Sequence, residues 1–209
     1  MLLAAYGAQQ WWPADSPFEM MIGAILTQNT SWKNVEQAIL NLKEKQMLDA
    51  TTIANSNIEQ LAETIRPSGY YRQKAERLQL FSRFYIQQGN STGLKKQPCK
   101  ALRKLLLNLH GIGSETADSM LLYGLDKPMF VVDAYTKRIF SRIGLFDKAL
   151  NYDAVQHYFH QHLINELSLF QEFHALIVEH AKRFCKTRPL CKGCPLGGVC
   201  LSHHQSRLD

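Results

Sequence analysis

The chain has 209 residues, with 24 lysines and arginines against 18 acids, a net charge of +6 and a pI of about 9.1. That length permits one large or two small domains with a real core, and the positive excess suits a polyanionic partner without demanding one. No apolar run is long enough to cross a bilayer, and the opening stretch MLLAAYGAQQWW lacks the basic n-region of a signal peptide, so a cytoplasmic protein is expected.

Residues 1–15 hold Tyr6, Trp11, Trp12 and Pro13. Trp11 and Trp12 have two readings, an anchor of the N-terminal arm in the core or a wall of an aromatic pocket. Ser16-Pro17-Phe18-Glu19 is a helix start: Ser16 caps, Pro17 takes the first helical position and Glu19 completes a capping box. Phe18, Met21, Ile22, Ile25 and Leu26 follow at helical spacing and should face the core. The helix ends in Thr27-Gln28-Asn29-Thr30, which alone reads as a solvated turn. Trp32, Val35, Ile39 and Leu42 mark the next helix. Ser56-Asn57-Ile58-Glu59 is a second capping box, opening a helix that stops before Pro67. Residues 71–88 form a longer helix with Ala75, Leu78, Phe81 and Tyr85 on one side. Residues 90–97 read as a polar loop, and Cys99 as a small core or surface residue.

The segment LRKLLLNLH is a helix that stops at Gly111. Gly111 and Gly113 flank the single Ile112, so a tight turn with positive φ is expected. Ser114 stands where the cap of the next helix belongs. Helix, glycine hairpin and helix leave free N–H groups pointing outward, an anion site that suits a phosphate and reads no sequence. Asp133 follows the apolar Met129–Val132 and precedes a helix at 134–143 that it can cap. Helices at 152–163 and 168–184 follow, and His157, His160, His162, His174 and His180 read as surface or hydrogen-bonded residues because their spacings are mixed. No alternating strand pattern is present, so the fold is expected to be all-α.

The tail reads Cys185-x5-Cys191-x2-Cys194-x5-Cys200, four of the five cysteines. In a reducing compartment such crowding reads as a metal site rather than a disulfide framework. Structural zinc usually takes two close pairs, whereas here one close pair has an outlying cysteine on each side.

Leu109-His110-Gly111-Ile112-Gly113-Ser114-Glu115-Thr116-Ala117, Val131-Val132-Asp133-Ala134-Tyr135 and the cysteine tail together resemble the helix-hairpin-helix DNA glycosylases of the endonuclease III superfamily, over about residues 11–200. The resemblance implies two helical lobes, one of residues 16–133 holding the hairpin and one of residues 1–15 with 134–209, with a DNA cleft between them. It implies that Gly111, Ile112, Gly113, Ser114 and Thr116 grip the DNA backbone and that Asp133 is the catalytic carboxylate. It assigns Gln28 to the gap left by an extruded nucleotide, where a planar amide can pair with the orphaned base. Trp11, Trp12, Glu115 and Tyr135 are the further pocket candidates. Cys185, Cys191, Cys194 and Cys200 look like the ligands of a [4Fe–4S] cluster in a loop of residues 185–200, although the family's first spacing is usually one residue longer. The implied partner is double-stranded DNA with a damaged base, bound by a monomer.

One departure bears on mechanism. Bifunctional members carry a lysine inside the hairpin, where this chain has Glu115. A carboxylate cannot form the Schiff base of a lyase, so hydrolytic base removal without strand cleavage is expected. Adenine-from-mismatch relatives carry a glutamate in the helix before Gln28, whereas this chain has Gly23-Ala24-Ile25-Leu26. A cationic N-alkylated purine such as 3-methyladenine leaves without that general acid and suits aromatic faces. An endonuclease III-like glycosylase/lyase on oxidised pyrimidines and a non-catalytic binder of DNA structure are the alternatives.

Overall fold

The computed structural model describes residues 1–9, 11 and 14–205. Among these the regular structure is helical throughout: α1 (Leu2–Tyr6), α2 (Pro17–Leu26), α3 (Trp32–Glu44), α4 (Ala50–Asn55), α5 (Ile58–Thr64), α6 (Tyr71–Gln87), α7 (Asn90–Lys96), α8 (Cys99–Leu107), α9 (Ser114–Ser119), α10 (Ala134–Ile143), α11 (Tyr152–His162), α12 (Leu167–Arg183) and α13 (Leu201–Gln205). The chain divides into two compact units, one of residues 12–129 and one of residues 1–11 with 130–209. No helix is long and apolar enough to cross a membrane.

The 12–129 unit is built around α2. Ser16 Oγ accepts from the Glu19 N–H at 3.1 Å and Pro17 opens the helix, so two of the first-turn donors are accounted for. Residues 18–26 are all buried, and a helix that is apolar on every side belongs inside its unit. Val35, Ala38 and Leu42 of α3, Ala75, Leu78 and Phe81 of α6, and Leu102 and Leu106 of α8 close around it. Each fully buried leucine or phenylalanine contributes roughly 1.5–3 kcal/mol.

The other unit has an aromatic core. Phe130 stacks on Phe159 at 4.2 Å between centroids and meets the edge of Phe170 at 5.4 Å, and Phe140 and Phe173 join the cluster. Here packing also fixes the extended segment before α10. Its backbone has no strand partner, and side chains of α11 take that place: Gln156 Nε2 donates to the Phe130 carbonyl at 2.6 Å, His160 Nε2 accepts from the Phe130 N–H at 3.2 Å, and Tyr152 Oη accepts from the Val132 N–H at 3.3 Å. Buried backbone groups are thereby paired by three side chains of one helix.

Three local expectations are corrected. Residues 90–97 are not a loop: α7 forms there, started by Gly89 at φ 76° and anchored by the buried Leu94. Its Gly93 lies so close to Gln88 that a Cβ would stand 1.9 Å from the Gln88 carbonyl oxygen. A single apolar residue in a polar stretch gives no helical period to detect. The cap of α5 is Asn57, whose side chain accepts from the Gln60 N–H at 2.9 Å, rather than Ser56. The short α4, capped by Asp49, was not anticipated.

Candidate active site

Asp133 is the N-cap of α10. Its Oδ1 accepts from the Thr136 N–H at 2.6 Å and from Thr136 Oγ1 at 2.8 Å. Its Oδ2 faces His174 Nε2 of α12 at 3.6 Å, and the two side chains are only 12% and 4% exposed. Burial pushes the Asp133 carboxyl up, but the neighbouring His174 and the Thr136 donors outweigh it, and the group titrates below its ordinary value. The cap and the candidate catalytic carboxylate are thus one group. Trp11, a pocket candidate, lies with its ring centroid 5.5 Å from that of His174. Trp12 falls outside the described residues. Tyr135, half-buried, has the Arg138 guanidinium 5.0 Å over its ring.

In the 12–129 unit, the hairpin between α8 and α9 departs from expectation in its details. Gly111 has φ 83°, and the flat of the Arg77 side chain lies against it: a Cβ there would be 2.3 Å from Arg77 Nε. Gly113 has φ −90°, which any residue adopts, with nothing within 4 Å of a Cβ placed on it. Gly113, not Ser114, is the N-cap of α9, and no side chain caps that helix. Ile112 turns its side chain into the core and spends its N–H on the Leu109 carbonyl at 3.1 Å. Thr116 is buried, and its hydroxyl accepts from Gln28 Nε2 at 3.0 Å. Of the hairpin candidates, Gly113 and Ser114 stand at the uncapped end, while Ile112 and Thr116 hold the hairpin in place. Glu115 is exposed and its carbonyl accepts from Ser119 Oγ.

Gln28 points inward in this structure. Its Nε2 donates to the Gly111 carbonyl at 2.9 Å as well as to Thr116, and its Oε1 accepts from Arg77 at 2.5 Å. Asn29 is the exposed amide of the same turn, at φ 55°. The buried Lys74 ties this turn to another: its Nζ donates to the carbonyls of Leu26 and Ser68, both at 2.7 Å. Burial, and then the nearby Arg77, lower its pKa to about 8. Beyond Ser68 stands Tyr70, an exposed aromatic at φ 47°.

A cavity of about 320 Å³, open to solvent, lies between α2 and α3, lined by Ala14, Glu19, Gly23, Trp32, Glu36 and the stem of Lys43, among others. Glu19 is paired with Lys43 at 2.8 Å, and Glu36 accepts from Trp32 Nε1 at 2.7 Å. The sequence marked Trp32 only as part of a helical stripe; nothing local distinguishes a core tryptophan from a cavity wall.

Cys185, Cys191, Cys194 and Cys200 line a single space of about 90 Å³ together with Ile139, Phe184, Leu190 and Leu196. Burial raises the Cys194 thiol; a hydrogen bond from the Leu196 backbone opposes this, and the other three cysteines add to the rise, so the four thiols feel one another's charge. Arg142 Nη1 stands 3.2 Å from Cys185 Sγ, and His180 Nε2 stands 3.7 Å from Cys194 Sγ. No three His, Cys, Asp or Glu side chains among the described residues are gathered tightly enough to hold one metal ion.

Comparison with known proteins gives a match over residues 22–163 to the profile of the HhH-GPD superfamily of base excision DNA repair proteins. A candidate DNA repair glycosylase of Methanocaldococcus jannaschii is 48% identical over 205 residues, 97% of this chain and 93% of that protein. Endonuclease III of Thermotoga maritima is 32% identical over 185 residues, 88% of this chain and 82% of that protein. The H. pylori 3-methyladenine DNA glycosylase MagIII, solved with 1,N6-ethenoadenine, superposes with a TM-score of 0.74 at 32% identity, over 87% of this chain and 92% of that one.

Proposed function

The chain belongs to the HhH-GPD superfamily and is a base excision repair DNA glycosylase, and from that premise we propose that it removes alkylated purines such as 3-methyladenine by hydrolysis, without cutting the strand. The observation that carries the reading is the Asp133 carboxylate, buried yet held ionised, with one oxygen fixed by Thr136 and the other facing His174. As the base departs, positive charge builds on the sugar. An ionised carboxylate near C1′ stabilises that charge and orients or deprotonates the attacking water. Glu115 occupies the hairpin position where a Schiff-base lyase carries its amine, and a carboxylate cannot make that bond.

The substrate class rests on the cavity between α2 and α3. Its aromatic wall, Trp32, and the Glu36 carboxylate beside it suit a flat cationic ring better than a neutral one, while Glu19 is already answered by Lys43. Residues 23–26 of α2 carry no acid at the place where adenine-from-mismatch relatives carry their glutamate. Similarity to the H. pylori enzyme supports this reading; similarity to an endonuclease III favours the second one, a glycosylase/lyase acting on oxidised pyrimidines. In either case the uncapped start of α9, at Gly113 and Ser114, is where a DNA phosphate meets free N–H groups. The outward amide Asn29 is better placed than the engaged Gln28 to enter a vacated base position. The deciding assay measures base release from methylated, oxidised, deaminated and mismatched duplexes, with and without alkali. Release confined to methylated purines supports the proposal, and release confined to oxidised pyrimidines overturns it.

The four cysteines are the ligands we assign to a [4Fe–4S] cluster. The fit rests on their shared, apolar-walled space and on the chemistry of the donor set, four soft thiolates of the kind that hold an iron–sulfur cubane. Held by Cys185, Cys191, Cys194 and Cys200, the cluster would make residues 185–200 a rigid loop for positioning DNA, and N-glycosidic hydrolysis would draw no electrons from it. Protein purified without chelators is expected to be yellow-brown with about four irons per chain; colourless protein with stoichiometric zinc would refute the assignment.

A further inference from the structure

We propose that His174 is a positioning residue for the reaction: it fixes the plane of the Asp133 carboxylate by engaging Oδ2, while Thr136 fixes Oδ1. The inference rests on the reading of Asp133 as the catalytic carboxylate and goes beyond it.

The geometry gives the reason. The terminal torsion of an aspartate is broad and roughly two-fold, so a carboxylate held at one oxygen still rocks. Thr136 holds Oδ1 with two donors, at 2.6 and 2.8 Å, and both come from one residue on the same side. Oδ2 has His174 Nε2 before it at 3.6 Å, within ion-pair range and longer than a hydrogen bond. That imidazole comes from α12, a different helix packed against α10, and it is 3% exposed. Trp11 stands 5.5 Å away, ring to ring. A ring wedged between an indole and a carboxylate has little freedom to leave. Two anchors on two helices define a plane where one anchor defines only a pivot. The carboxylate keeps lone pairs for a water or a sugar, since each oxygen accepts about two hydrogen bonds. The depressed titration of Asp133, to which His174 contributes, agrees with an engaged imidazole. The charged neighbours on α12 are turned to other tasks: Glu172 accepts from the Gln9 N–H, and His180 pairs with Tyr6.

The bland alternative is that His174 only fills space under Trp11. Two substitutions separate the two roles. His174→Leu fills the space and offers no donor. His174→Gln offers an N–H of similar reach. The probe is a duplex methylated with dimethyl sulfate, with base release followed under single turnover and affinity measured on the same duplex. His174→Leu is expected to slow release about a hundredfold, the cost of a catalytic group displaced by about 1 Å, with affinity unchanged. His174→Gln is expected to recover most of that loss. A second readout needs no substrate: with 13C-labelled aspartate, the Asp133 carboxyl of His174→Leu should titrate higher than in the wild type. Equal rates for His174→Leu and wild type, beside an inactive Asp133→Asn, would overturn the positioning role and leave the reading of Asp133 intact. Equal slowing by Leu and Gln would overturn it as well. An Asp133→Asn variant that released bases at the wild-type rate would instead remove the reading of Asp133, and with it the catalytic meaning of His174. Should His174→Leu fail to fold, His174→Gln and its carboxyl titration carry the test alone, and an unmoved titration with a slowed rate would count against the proposal.

Discussion

Two helices in this protein begin in opposite ways. The N-cap of α9 is Gly113, which has no side chain and stands in open space. The N-cap of α10 is Asp133, a carboxylate already bound to the first turn of its own helix. Helix starts present unpaired N–H groups and a partial positive charge. At α9 that charge is left bare, which suits an anion such as a backbone phosphate. At α10 it is answered by a full negative charge whose second oxygen faces His174, and on the proposed reading that charge suits a cation developing on a sugar. On the proposed reading the same backbone device serves binding in one place and chemistry in the other, and the capping residue decides which.

The strongest way to break this comparison is to remove the charge at α10 while keeping the cap. Asn caps about as well as Asp, so Asp133→Asn should still fold, with a modest loss of Tm at neutral pH because the charge facing His174 is gone. Base release should fall by about 10² to 10⁴ or more, the range for a positioned acid–base group. Loss of folding together with activity would show that the carboxylate serves structure alone. The same group carries a sign with pH. Its folded pKa is depressed, so its contribution to stability is present above the unfolded aspartate value and is lost as pH falls through the lower folded value. Asp133→Asn should therefore flatten the acid limb of the wild-type stability curve, read by thermal unfolding across that range.

The next effect sharpens the contrast at α9. Gly111→Ala meets Arg77 and a left-handed backbone, and should cost about 1–3 kcal/mol of stability. Gly113→Ala meets neither, and should leave stability within about 0.5 kcal/mol. A larger side chain, Gly113→Val, should instead weaken binding to all duplexes alike without changing which base is released, because phosphate contacts carry no sequence information. Denaturant titrations and binding to plain and methylated duplexes separate the two glycines. Equal destabilisation by Gly111→Ala and Gly113→Ala would show that the hairpin's need for glycine is not local to Gly111. Gln28→Ala removes two hydrogen bonds to the hairpin and one from Arg77; at about 0.5–1.5 kcal/mol each, partly replaced by water, its cost should lie between those of Gly113→Ala and Gly111→Ala.

The sequence made legible what local chemistry sets. Ser16 and Asp133 cap the helices they were expected to cap, and the apolar periods of α2, α3 and α6 point to the core as read. It misplaced the cap at Ser114 by one residue, because serine is the stronger capping type and nothing local shows that Gly113 already has extended backbone. What stayed hidden depends on partners far along the chain. Gln28 turns inward because Thr116, 88 residues on, and Gly111 take its amide. His174 was one of several histidines at mixed spacing, and only the packing of α12 on α10 brings it to Asp133. Trp32 reads as an ordinary stripe residue until the space beside it is seen.

Hydrolysis directed by Asp133, with no amine at the hairpin, stands or falls on borohydride added during turnover on a methylated duplex. Free base, an intact strand until alkali is added, and no covalent protein–DNA adduct are expected. Efficient trapping, mapped to a lysine, together with strand cleavage before alkali, would contradict it.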